Sequence, residues 1–178
     1  MELQGERLIQ ASRAEVWQAL NDPLVLKQSI AGCESLEKTS ETGFEAIVTQ
    51  KVGPVKARFT GVVTLSDIVE AESYTISGEG KGGAAGFAKG GAKVRLEDAD
   101  GGTLLTYAAE AKVGGKLAQL GSRLIDGFAR KMADDFFTRF QEAVEGPPED
   151  DTAEAEGATD AEDAPAKEKK GWFKRMIG

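Results

Sequence analysis

Residues Gly115–Gly146 read GKLAQLGSRLIDGFARKMADDFFTRFQEAVEG. Apolar side chains fall at Leu117, Leu120, Leu124, Phe128, Met132, Phe136, Phe140 and Val144, with gaps of three and four. That spacing predicts one long helix over the whole stretch. Most gaps are four against a period of 3.6, so the apolar face drifts around the axis toward the C-terminus. Ile125 and Phe137 widen the face, while Arg123, Asp126, Arg130, Asp134 and Arg139 supply the wet side. Gly146-Pro147-Pro148 ends the helix. So broad an apolar face needs a large partner surface.

The preceding residues supply one. Glu2–Gln10 reads as a first strand. Ser12-Arg13-Ala14-Glu15 is a capping box that opens a short helix through Val16, Trp17 and Leu20. Asp22-Pro23 starts a second short helix through Leu24, Val25, Leu26 and Ile30. Six strands follow, over 34–39, 44–52, 55–69, 73–81, 87–97 and 103–113. Turn residues separate them, at Gly53-Pro54, Gly82-Gly83 and Asp98–Gly102 among others. Such short connections imply an antiparallel meander. The expected class is α+β: a curved antiparallel sheet of about seven strands gripping the last helix.

Strand alternation says which side chains meet that helix. In 55–65 the inward set is Val55, Ala57, Phe59, Gly61, Val63 and Leu65. In 74–80 it is Tyr74, Ile76, Gly78 and Gly80. In 88–96 it is Ala88, Gly90, Ala92, Val94 and Leu96, and in 105–111 it is Leu105, Tyr107, Ala109 and Ala111. Hairpin pairing gathers the Gly and Ala residues into one patch, with Leu96, Leu105 and Tyr107 toward the other end. The patch should face the helix start, where Leu117, Leu120, Gly121 and Leu124 point in. Space beneath a helix is filled by a closer helix, by neighbouring side chains or by a ligand. Glycines in strands also mark bulges and close packing. If there is a cavity, its walls are Val48, Phe59, Ile76, Phe87, Leu120, Leu124 and Phe128, and its ligand is apolar and flat or elongated.

Composition removes several functions. The chain has 178 residues, one cysteine and no histidine. It therefore lacks an internal disulfide, the usual general base and the commonest zinc ligand. Residues 1–145 carry 17 Lys and Arg against 21 Asp and Glu, which is no nucleic-acid footprint. No secretory h-region and no apolar run of about 20 residues is present. Gly78–Gly91 is glycine-rich but lacks the Gly-Lys-Ser/Thr of a phosphate cradle. Cys33 has no His or second Cys to work with and reads as a half-buried structural thiol. Asp134-Asp135, Glu110 and Lys112 read as solvated.

Four segments carry a resemblance. They are Ile30-Ala31-Gly32-Cys33-Glu34-Ser35-Leu36, Lys51–Lys56 with Phe59-Thr60-Gly61, Gly78–Gly82, and Gly114–Gly121. In this order they are similar to the carbon-monoxide dehydrogenase G-subunit family, over roughly residues 1–145. The resemblance implies the helix-grip fold of the START-like, polyketide-cyclase superfamily, which binds apolar ligands between sheet and long helix. It also implies a partner, a molybdenum hydroxylase of the carbon-monoxide dehydrogenase type. It further implies a bound respiratory quinone, menaquinone or ubiquinone, and a link to the membrane. It supplies no catalytic residue, so the site residues named above rest on alternation.

The C-terminal part reads differently. Residues 146–166 hold eight acids and no base, and 147–166 is expected to be a disordered linker after a domain over 1–146. Residues 167–178 hold five bases and one acid. There Trp172, Phe173, Met176 and Ile177 share one side of a helical turn, flanked by Lys169, Lys170, Lys174 and Arg175. This is the composition of an interfacial membrane anchor. A solvated basic tail or a peptide that docks on a protein are the other readings. The expected location is the inner face of the cell membrane, attached peripherally. Two function classes follow: a carrier of quinone or lipid tethered to the membrane, with a ligand-free recruiting scaffold as its alternative, and an enzyme of the polyketide-cyclase or hydrolase kind. The last would need polar groups converging inside, and only Tyr74, Tyr107 and Gln50 qualify.

Overall fold

The computed structural model describes residues 1–146, so the linker and basic peptide expected over 147–178 lie outside the described residues. The elements are β1 (Glu2–Ile9), α1 (Arg13–Leu20), α2 (Pro23–Ser29), β2 (Cys33–Lys38), β3 (Gly43–Val52), β4 (Val55–Val69), β5 (Ser73–Lys81), β6 (Phe87–Ala99), β7 (Gly102–Gly114) and α3 (Ser122–Glu145). Seven antiparallel strands form one curved, open sheet in the order β1-β7-β6-β5-β4-β3-β2. The two short helices carry the chain from one sheet edge to the other, and α3 packs beside α2 and β1. This is the helix-grip, START-like fold.

Local chemistry sets the ends. Ser12 accepts from the Glu15 amide while the Glu15 carboxylate accepts from the Ser12 amide, so the capping box is complete. Asp22 caps α2, with Pro23 in its first turn. Hydrogen bonds from the Ser12 amide and hydroxyl hold the exposed Glu15 carboxyl below the usual carboxylate range.

The long helix starts later than its periodicity predicts. Gly115–Leu120 forms a 3-10 turn and α3 begins at Ser122. Gly115 and Gly121 have φ of 72° and 92°, a left-handed backbone that L side chains rarely adopt. Two such residues interrupt the helix, while Leu117 remains buried between them. The apolar spacing runs on across the break because both pieces face inward.

The core occupies one end of the grip. Phe137 and Phe140 of α3 bury against Ile9, Leu96, Leu105, Val94, Tyr74, Leu65 and Phe44. Phe140 stacks on Phe136, with ring centroids 5.7 Å apart. Tyr107 stacks on Phe137 at 5.1 Å, with its hydroxyl over Gly5 of the edge strand. Arg7 joins this end from β1. Its guanidinium lies over the Phe137 ring and bonds Asp134 at 3.1 Å.

Gly127 lies inside α3, and a Cβ there would meet nothing within 4 Å. Gly127→Ala should therefore stabilise the domain by about 1 kcal/mol, the helix-propensity difference. A urea melt of both proteins checks this through the midpoint at unchanged slope.

Candidate functional site

The register gathers the small residues on the concave face. There Ala109 pairs with Ala92, Ala92 with Ile76 and Ile76 with Leu65. The next row runs Ala111, Gly90, Gly78, Val63 and Phe44. The row after it runs Val113, Ala88, Gly80, Gly61 and Ala46. All the Gly and Ala members of these rows are only half-buried. So are Val48, Phe59, Ile76, Leu120, Ile125, Phe128 and Met132. The interior thus changes character along α3: dry and aromatic around Phe140, half-open and apolar toward Ser122.

Several expected wall residues sit elsewhere. Phe87 alternates with Ala88, is 41 % exposed, and lies over Gly114 on the outer side. Its strand parity, the same as that of Lys89, keeps it out of the concave wall. Leu124 is 39 % exposed and reaches the β3–β4 turn, where a Cβ at Gly53 would lie 2.7 Å from its Cδ2. It is a lip of the cleft rather than a wall. Gly121 is an exposed helix cap with nothing near it, not part of the apolar arc. Gly90 is small because the β7 backbone approaches it; a Cβ would collide with the Glu110 carbonyl oxygen. Gly78 and Gly80 have more room, their nearest neighbours lying 3.3 and 3.9 Å from a Cβ. Phe59 turns its ring toward Gly82, closing the sheet at the helix-start end.

The inward polar groups are engaged locally. Tyr74 is buried and edge-on to Trp17, and burial pushes its phenol far above the ordinary range. Gln50 donates to the Ala31 carbonyl, and Tyr107 belongs to the Phe137 stack. Cys33 is half-buried and bonds the Ser35 carbonyl at 3.3 Å; burial raises its thiol pKa. Asp134 and Asp135 are taken by Arg7 and Lys131. Among the described residues no cluster of Cys, Asp and Glu is arranged to hold a metal ion.

A depression of about 520 Å³ lies over β5, β6 and β7, where the outward side chains alternate with the backbone of Ile76, Gly78, Gly90, Ala92 and Ala109. Gly91 and Ala108 form its floor; Glu2, Gln4, Lys89, Lys93 and Glu110 stand around it. It arises because small residues face an uncovered convex surface. Its lining comes from strands alone and carries a charged rim, whereas the half-buried set on the concave side combines the Gly and Ala rows with Ile125, Phe128 and Met132 of α3. The concave cleft is therefore the better candidate for an apolar ligand.

The sequence signature of the carbon monoxide dehydrogenase G-subunit (CoxG) family matches residues 5–145. The chain belongs to that family. A conserved protein from Geobacillus kaustophilus is 31 % identical, with a TM-score of 0.76 over 82 % of this chain and 95 % of that one. An uncharacterised protein from Rhizobium leguminosarum is 19 % identical, with a TM-score of 0.64 over 83 % and 95 %. TTHA0849 from Thermus thermophilus is 17 % identical, with a TM-score of 0.63 over 81 % and 97 %. These last two are similar in fold alone. No curated protein matches. Among the described residues no helix is long and apolar enough to cross a membrane.

Proposed function

We propose that this CoxG-family protein is a non-enzymatic accessory to a molybdenum hydroxylase of the carbon monoxide dehydrogenase type, holding an isoprenoid quinone in its concave cleft. The family supports the accessory role. The observation that carries the ligand is the uneven interior. One half of α3 is sealed by Phe137 and Phe140, while the other covers a half-open wall of Gly and Ala. Protein interiors pack densely, so such a wall suits a flat apolar guest. The carrier role places no demand on general acid or base groups, and the inward tyrosines and Gln50 serve packing. In this reading the peptide Lys169–Ile177 leashes the carrier to the inner membrane face.

Organic extraction of protein made in a quinone-producing host, followed by mass spectrometry, should recover menaquinone or ubiquinone in near-stoichiometric amount. Empty extracts would leave the ligand-free scaffold as the better account. Deleting Gly171–Gly178 should abolish flotation with vesicles containing phosphatidylglycerol; flotation that survives the deletion would remove the leash.

A further inference from the structure

The domain is charged oppositely at its two ends. Three connections lie at the end where the cleft opens, β3–β4, β5–β6 and β7–α3; with the element ends that flank them they cover 51–56, 81–89 and 112–123. Gly53 meets Leu124 there, and Gly86 meets Gly115. Together these segments hold seven bases and no acid: Lys51, Lys56, Lys81, Lys89, Lys112, Lys116 and Arg123. All seven are exposed, and none has a salt-bridge partner among the described residues. The connections at the opposite end, with the strand ends that flank them, cover 37–45, 66–73 and 97–103. They hold nine acids and one base.

We infer that the domain itself docks on an anionic bilayer with its cleft mouth down, the seven cations meeting lipid headgroups. Three observations favour a bilayer. The cations come from two hairpin ends and from the β7–α3 connection rather than from one pocket, five of them on outward-facing strand positions at the mouth end. The exposed apolar side chains Phe87 and Leu124 stand among them, which is the composition of an interfacial surface. The acidic pole is repelled by the same surface that attracts the basic one, so both ends select one orientation. A ligand leaving the cleft would then enter acyl chains without crossing water.

The inference rests on the apolar-cleft reading but is tested apart from it. In a full-length Cys33→Ser background, an environment-sensitive fluorophore is placed at Ala118→Cys by the mouth or at Asp100→Cys at the acidic pole. Vesicles of equal phosphatidylcholine and phosphatidylglycerol should blue-shift the Ala118 label and leave the Asp100 label unchanged. Lys56→Glu/Lys81→Glu/Lys116→Glu should weaken the Ala118 response at least about tenfold, while flotation through the C-terminal peptide persists. Flotation with no shift at Ala118 would overturn the docking and leave the leash standing. Equal shifts at both labels would overturn the orientation. A salt-sensitive Ala118 signal without vesicles would make the chain's own acidic segment the occupant, and would also overturn it. Quinone recovered by extraction keeps the cleft reading whichever of these is found.

Discussion

Ala92→Phe should abolish quinone retention while leaving the domain folded. Ala92 stands on the concave face between Ile76 and Ala109, and it is half-buried where the core residues Leu96 and Val94 on the same strand are buried. A phenyl ring there enters the space assigned to the ligand. Extraction followed by mass spectrometry should show retention falling at least tenfold, about 1.4 kcal/mol or more of lost binding. The unfolding free energy should move by less than about 1 kcal/mol, since the ring fills open space. If instead α3 and neighbouring side chains fill that space, overpacking costs about 1–3 kcal/mol and no ligand is found in either protein. Gly90 is not a usable position for this test, because any side chain there meets the β7 backbone.

Phe140→Ala is expected to have the largest effect on stability. Phe140 has no exposed surface and packs with Ile9, Leu105 and Phe136. Truncating so enclosed a ring costs about 3–5 kcal/mol. Against a total stability of about 5–15 kcal/mol, this brings the domain close to unfolding and lowers Tm by about 10 °C. The contrast with Phe128→Ala, half-buried at the open end, should be plain in the same thermal scan. A similar loss at both sites would mean the interior is packed evenly from end to end.

Much of this architecture is readable from periodicity. β4 and β5 span the residues that alternation assigns them, and the capping box of Ser12 and Glu15 forms as its spacing implies. The small-residue patch is readable too, because hairpin register follows once the turns are placed. What escapes is conformational. Leu117 and Leu120 keep helical spacing with Leu124, yet a left-handed Gly121 separates them. Apolar spacing reports which side is buried, and a short 3-10 turn buries the same side. Phe87 is misread for a related reason. Aromatic character suggests a wall, whereas its parity opposite Ala88 turns it outward. Gly90 shows a third limit: glycine records a close approach as readily as an empty space, and only backbone distances separate the two. The basic and acidic poles lie within reach of sequence reading, provided charges are summed by sheet end rather than along the chain.

The break at Gly121 has a consequence for access to the interior. No side chain caps the first turn of α3, so its leading amides lack the partner that Ser12 supplies to α1. Leu124 is 39 % exposed beside the β3–β4 turn, while the far half of the helix is clamped by Phe137 and Phe140. Local opening costs least where few apolar contacts and no cap oppose it. The first turn can therefore fray and re-form while the rest of the helix holds. On the proposed carrier role, a bulky guest would pass through such a fraying end without a dedicated lid, and without disturbing the half of the domain that keeps it folded.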